Sequence, residues 1–169
     1  MKKVLLIALC GIAIVFASCN KPVEPEPIDY STNYVGNYLG QFTLTITSMN
    51  NSAVSNMAFP IDGIKMDIAK GTEINTITAT VTVDNESHET SGTTTAEKAD
   101  FGTVRLVIDK PDQNYMFNLD LKMEGTKAVS DTLNIIGTFS GNGNFSLPTG
   151  EVMLLDEVSG DVSGKIAKH

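Results

Sequence analysis

Tryptophan is absent from this chain of 169 residues, arginine occurs once (Arg105), and there are only two histidines and two cysteines. Each shortage removes a class of function. Both cysteines, Cys10 and Cys19, fall within the first nineteen residues, so the remainder has no thiol for a disulfide, a zinc cluster or a nucleophile. His169 is the last residue of the chain, which leaves a His-based triad or zinc site resting on His88 with almost no partners. Without tryptophan there is neither the core mark of an immunoglobulin sandwich nor the usual platform for stacking sugars. That counts against reading the acidic cluster Asp156, Glu157 and Asp161 as a glycosidase pair. Basic charge is scarce as well: twelve Lys and Arg against twenty Asp and Glu give a formal net charge of −8. Such a surface repels nucleic acid and anionic lipid, so neither is an expected partner. The longest apolar run, Val4 to Phe16, has thirteen residues, short of the roughly 20 that cross a bilayer as a helix. No phosphate-binding loop, dinucleotide fingerprint, nucleophile elbow, His-Glu-x-x-His motif or calcium loop is present. Glu86, His88 and Glu89 stand close enough in sequence to hold a metal weakly, but their polar setting reads as a solvated loop. No catalytic residue, metal or cofactor is expected.

Lys2 and Lys3, the apolar run from Val4, and Ala17-Ser18 form the charged, hydrophobic and small-residue regions of a secretory signal. With Cys19 directly after the small residues, the segment resembles a bacterial lipoprotein signal. Phe16 departs from that pattern, where an aliphatic residue is usual. The resemblance implies cleavage after residue 18 and a diacylglyceryl group on the Cys19 thiol. It also implies three acyl chains in all, palmitate among them, which is enough for durable anchoring where one chain is marginal. Asn20 is not the Asp that retains many such lipoproteins at the inner membrane, which points to the outer membrane. Loss of residues 1–18 removes Lys2 and Lys3, moves the formal charge from −8 to −10 and leaves 151 residues, enough for one domain with a core. Residues 19–33 are expected to form a tether: Pro22, Pro25 and Pro27 alternate with acids and favour an extended chain. Glu24, Glu26 and Asp29 weakly resemble acidic tags that send some lipoproteins to the cell surface.

From Tyr38 to the end the dominant period is two. Phe42, Leu44 and Ile46 alternate with threonines, as do Ile77, Ala79, Val81 and Val83. Ile64, Met66 and Ile68 form another apolar set, as do Val104, Leu106 and Ile108. Tyr115, Phe117, Leu119, Leu121 and Met123 follow, then Leu133, Ile135, Gly137 and Phe139 with Ile136 on the outer face. Glu151 to Leu155 is less regular, and Val158, Gly160, Val162, Gly164 and Ile166 end the series. This predicts an all-β domain over residues 34–169 with eight or nine strands, polar on one face and therefore antiparallel. Lys110–Asn114 and Gly125–Lys127 read as turns of an up-and-down meander, which closes naturally into a barrel of about eight strands; a β-sandwich is the alternative. Gly40, Gly137, Gly160 and Gly164 lie on the inner register, where a tightly bent sheet needs room. Asn142-Gly143 reads as a hairpin turn. Residues 48–60 and 85–100 read as long loops. Met49, Met57 and Phe59 in the first of them either cap a barrel mouth or pack on the edge of the core.

Val35-Gly-Asn-Tyr-Leu-Gly-Gln-Phe-Thr-Leu44 resembles the opening of calycin-like, lipocalin-like barrels of secreted bacterial lipoproteins, and Gly160–Ile166 is similar to their closing strand. The resemblance implies that Gly36 and Tyr38 take the Gly-x-aromatic positions that plug the closed end of the barrel. Tyr38 replaces the usual tryptophan, and no arginine lies near the C-terminus to stack on it. Asp131-Thr132-Leu133 resembles a short O-glycosylation site of exported bacterial proteins. The expectation is a non-enzymatic, lipid-anchored barrel of the cell envelope that binds a small apolar or amphipathic ligand. Tyr38, Phe42, Met66, Tyr115, Phe117, Leu119 and Met123 are the candidate cavity-lining residues. The alternative is a structural, interaction or glycan-capture module of an outer-membrane complex, using the Thr-rich outer faces at 41–47 and 76–82.

Overall fold

A strand whose alternate residues are apolar has to bury one face, and in this chain every such face turns toward the same enclosed space. The computed structural model describes residues 24–128, 131–147 and 149–169; the signal segment, Cys19 and Asn20 lie outside them. Eight strands are described: β1 (Gly36–Met49), β2 (Ser52–Lys70), β3 (Thr76–Val83), β4 (Glu86–Thr94), β5 (Lys98–Lys110), β6 (Tyr115–Lys127), β7 (Thr132–Ser146) and β8 (Val152–Lys168). Each runs antiparallel to its neighbour in sequence, and β8 pairs back on β1, so the up-and-down sheet closes in a ring. The fold is all-β; the helical elements among the described residues are two short 3-10 turns, Ser31–Asn33 and Pro111–Gln113.

The inner face is one continuous apolar core drawn from all the strands except β4. Ring closure brings β1 and β8 so close that the Phe42 ring occupies the place where a Cβ on Gly164 would stand. Only glycine permits that approach. The outer face carries half-buried threonines on β1 and β3, and Arg105 of β5 makes a two-pronged pair with Asp120 of β6, at 2.8 and 3.1 Å.

One end of the ring is plugged from below by the segment before β1. Tyr34 is fully buried there, and the Tyr38 hydroxyl donates to Tyr34 O at 2.8 Å. Gly36 has φ +152, and the stem of Lys168 fills the space where its side chain would be; Lys168 Nζ donates to Val35 O at 2.9 Å. The cation of the C-terminal strand at this end is thus a lysine gripping the backbone. Asp29 ties the plug to the wall. Its carboxylate accepts from Ser31 Oγ (2.7 Å), Ser31 N and Asn75 N (both 3.1 Å), and pairs with Lys70 Nζ at 2.5 Å. Residues 29–33, placed in the tether by composition, are therefore docked on the ring.

Several expected loops are strands. Residues 48–60 are the ends of β1 and β2 joined by the two-residue turn Asn50-Asn51, both with positive φ (47° and 62°). Residues 85–100 contain all of β4, entered through a second such turn at Asp84-Asn85 (φ 50° and 70°). Asn and Asp tolerate this left-handed conformation, which matches strand twist in a two-residue hairpin. Asn142-Gly143 is not a turn: both residues lie within β7, with Asn118 donating to Asn142 across the pair at 3.1 Å. Gly125–Lys127 continues β6, and of Glu151–Leu155 all but Glu151 belongs to β8, which is bent by a register shift opposite Gly141–Gly143. The expected turn at Lys110–Asn114 is present, closed by Asn114 at φ 58°.

The seam between β4 and β5 is the thinnest part of the wall. Only Thr93 opposite Asp100 and Thr94 opposite Ala99 are in register. At the bulge that follows, the buried Thr90 hydroxyl donates to Phe101 O at 2.8 Å, with Thr103 O at 3.2 Å. A side chain thus replaces a missing ladder bond, and an Asp84–Lys110 ion pair clasps the far end.

Two outcomes are expected. Thr90→Val removes the donor and leaves buried carbonyls unpaired, so thermal or denaturant unfolding should show a loss of about 1–2 kcal/mol; an unchanged midpoint would mean that the hydroxyl does not hold the seam. At Asp29, the Lys70 pairing and then the Ser31 hydrogen bond pull the carboxyl well below its usual range. A depressed folded pKa contributes stability above the unfolded value of about 4, and that stability is lost as pH falls through the folded value. Asp29→Asn should therefore lower the melting temperature at neutral pH, with the gap to the parent closing progressively below about pH 4. A gap independent of pH would contradict this.

Candidate functional site

The turns at 50–51, 84–85, 111–114 and 147–151 all lie at the end of the ring opposite the plug, a consequence of the meander's alternation. Here β2 does something the other strands do not. It pairs with β3 only from Lys65 to Lys70, so Ser52 to Ile64 has β1 as its one neighbour. Pro60, with no N–H to give a second neighbour, stands in this one-sided stretch. Register shifts lie on both sides of the segment 57–61. The stretch sets Phe59 against the opposite wall, on β6 and β7.

There Phe59 meets Tyr115 and Phe117 of β6 edge to face, with ring centroids 5.2 Å away in each case, and Phe145 of β7 at 6.4 Å. Tyr115 and Phe117 are themselves 5.4 Å apart. Edge-to-face pairing satisfies the ring quadrupoles and adds to the burial of apolar area. Met49, Val54, Met57 and Leu147, like Phe59, are partly buried and pack against the core. Phe59 is only half-buried, whereas the rings beneath it are covered.

Tyr115 is 5% exposed, and its hydroxyl has no hydrogen-bond partner among the described residues. A buried unpaired hydroxyl is costly and uncommon. Burial raises its pKa above the usual phenol value, with Asp84 and Asp62 adding to the shift through their charges. The rim above is acidic: Asp84, Glu86, Asp109, Asp112, Glu151, Asp156 and Glu157 stand in or beside its turns, with Lys110 as the single lysine. The plugged end is closer to balance, with Lys70, Lys98, Lys127, Lys165 and Lys168 beside Asp29, Glu73, Glu97, Asp100, Glu124 and Asp131.

The seven candidate lining residues all point inward and are buried. A void large enough for water leaves accessible surface on the side chains around it. Phe42 and Met66 have none, and Phe117, Leu119 and Met123 have 1%, so their surroundings are packed to the density of a protein core. Tyr38 sits at the plugged end, far in the topology from Tyr115 at the mouth. Tyr115 and Phe117 alone of the seven border the Phe59 cluster. Phe145 was not expected from the sequence, because the glycines at 141 and 143 interrupt the apolar series that would have led to it. Phe59 carried a signal, an aromatic beside apolar Met57 and Ile61, but not its partner across the ring.

Glu86, His88 and Glu89 lie on β4 and not in a loop. His88 Nε2 stands 4.0 Å from Glu86, and no group of three metal-ligating side chains occurs among the described residues. Asp156 and Glu157 sit at the bulge of β8, where Glu157 O accepts from Asn50 N at 2.8 Å and Glu157 N donates to Asn50 Oδ1 at 3.3 Å, and Asp161 lies further along that strand. Thr132 opens β7 opposite Ala167. On the outside of the ring, a shallow groove of about 730 Å³ runs past Lys122, Ile136, Thr138, Asp161 and Ser163, with Ile136 54% exposed. No protein-family model matches the chain, and no curated protein matches it either.

Proposed function

We propose that this chain is a non-enzymatic, lipid-anchored protein of the bacterial outer membrane. Its domain, in this reading, is a calycin-like barrel that takes a small apolar or amphipathic ligand at the mouth beneath Phe59. The anchor rests on the lipoprotein-like signal and Cys19. The barrel reading, over a sandwich, rests on β8 returning to β1 and on the Gly36-Asn37-Tyr38 plug at one end only; the two-pair seam at β4–β5 is what a sandwich reading would rest on.

The observation that carries ligand binding is the one-sided stretch of β2 holding Phe59 over Tyr115 and Phe117. A strand paired on one side opens at less cost than the wall beneath it. When Phe59 swings out, it exposes an aromatic floor, and the partly buried Met49 and Met57 of the same β1–β2 hairpin are side chains that adapt to varied apolar shapes. Because the interior below is packed, the ligand sits at the mouth and does not reach down to Phe42 or Met66. A second reading, an interaction module of an envelope complex, has its own observation: Val152 and Leu154 on β8 are 56% and 70% exposed, which is unusual for paired apolar strand residues.

A Cys19→Ala chain, which removes the attachment point and needs no detergent, separates the two readings. It should take up the neutral apolar dye N-phenyl-1-naphthylamine saturably, one per chain. Phe59→Ala should tighten uptake several-fold while lowering stability by about 1–3 kcal/mol, less than a fully buried Phe costs. Dye uptake absent from the parent, or indifferent to Phe59, moves the reading to the interaction module. Growth of the unaltered chain with alkyne-tagged palmitate should label it, and Cys19→Ala should abolish the label; persistence of the label would remove the anchor from the proposal.

A further inference from the structure

We propose that the mouth beneath Phe59 selects an amphiphile with an ammonium-type head group over one with a carboxylate, the head donating a hydrogen bond to the Tyr115 hydroxyl. This rests on the ligand-binding reading above and names its ligand class. Three independent features converge on it.

The first is charge. Seven carboxylates in or beside the turns at this end face a single lysine, and that lysine, Lys110, is held by Asp84. The remaining acids are left without a basic partner at the rim, apart from His88 facing Glu86. Like charges around an opening make a field that draws cations in and keeps anions out. The plugged end has no such excess, so the field belongs to the mouth and is not a general property of an acidic protein.

The second is the orphan hydroxyl. Tyr115 is nineteen-twentieths buried, yet its oxygen has no partner among the described residues. Asp62 and Asp84 act on it electrostatically, and Lys110, its register partner on β5, is already engaged by Asp84, so its surroundings disfavour a further anion and leave Asp62 to favour a positive donor. An ammonium N–H would satisfy the oxygen's lone pair. A carboxylate could accept from the O–H, but only by adding negative charge beside two aspartates.

The third is the aromatic floor. Beneath Phe59, the Tyr115 and Phe117 rings lie 5.4 Å apart and each 5.2 Å from the Phe59 ring, with Phe145 6.4 Å from it. Ring faces attract organic cations, most strongly where water is excluded. The alkyl portion of the ligand then takes the place that Phe59 holds over Tyr115 and Phe117.

The test uses the Cys19→Ala chain with N-phenyl-1-naphthylamine bound, at about pH 7. There dodecylamine is protonated, as lysine is, and dodecanoate is ionised, as the acidic side chains are. Both competitors are kept below their micelle concentrations. Dodecylamine should displace the dye at about one-tenth the concentration that dodecanoate needs, and the gap should narrow in about 0.5 M NaCl as the rim charges are screened. Tyr115→Phe should weaken dodecylamine about three- to tenfold and leave dodecanoate unchanged or better bound. That variant removes an unpaired polar atom, so its fold should be as stable as the parent's or more so. If the parent takes up no dye, the ligand-binding reading itself falls. If the dye binds but dodecanoate competes as well as dodecylamine, the head-group inference is overturned while ligand binding stands. An amine preference unaltered in Tyr115→Phe would overturn the hydrogen bond to that residue.

Discussion

Pairing between β8 and β1 is the interaction on which the rest of the structure depends. A sheet with one apolar face has two ways to bury it, against a second layer or against itself, and among the described residues the two short 3-10 turns cannot supply a second layer. Joining the first strand to the last removes two exposed edges and brings every apolar face into one space. The residues that permit it are small: Gly164 yields its place to the Phe42 ring. Because β1 and β8 are the ends of the folded chain, their contact is the longest in sequence and is formed against the largest loss of chain entropy. The local hairpins on either side make it attainable.

Once the ring closes, its two ends become chemically different. The plugged end collects the segment before β1 and the last strand, and Asp29, Ser31, Asn75 and Lys70 lock them with charge-assisted hydrogen bonds. The other end collects four hairpin turns, whose need for Asn, Asp and Gly at positive φ brings polar and acidic residues with it. Turn chemistry thus accounts for part of the acidity at the mouth. The same end holds the one-sided stretch of β2, and the thin β4–β5 seam runs up toward it. The sparsest strand pairing therefore lies toward the mouth, the end with the orphan hydroxyl and the acidic rim.

Much of this was legible in the sequence. The sets at 42–46, 77–83, 104–108 and 115–123 became strands with the expected faces inward, because alternation is a local signal that burial merely obeys. What escaped was structure without an apolar signature. β4 reads Glu-Ser-His-Glu-Thr-Ser-Gly-Thr-Thr and looks like a loop; its inner residue Thr90 is buried because a carbonyl of β5 awaits its hydroxyl, a partner eleven residues away that no periodicity reveals. Asn50-Asn51 and Asp84-Asn85 were readable as two-residue turns, and the hairpins they make were missed for want of a glycine. Asn142-Gly143 misled in the opposite sense: the same residue types occur where strands crowd, and there the glycine makes room for a neighbouring backbone.

By itself the sequence determined the class of the fold, the inward face of most strands and the acidic character of the surface, since all three follow from residue type and a period of two. Only the tertiary structure decided that the inner residues fill their own space, that Phe59 reaches Tyr115 from across the ring, and that the acids gather at one end. Those are properties of which strands oppose one another, and the opposition is set by closure between β1 and β8, a contact that leaves no mark on either strand alone.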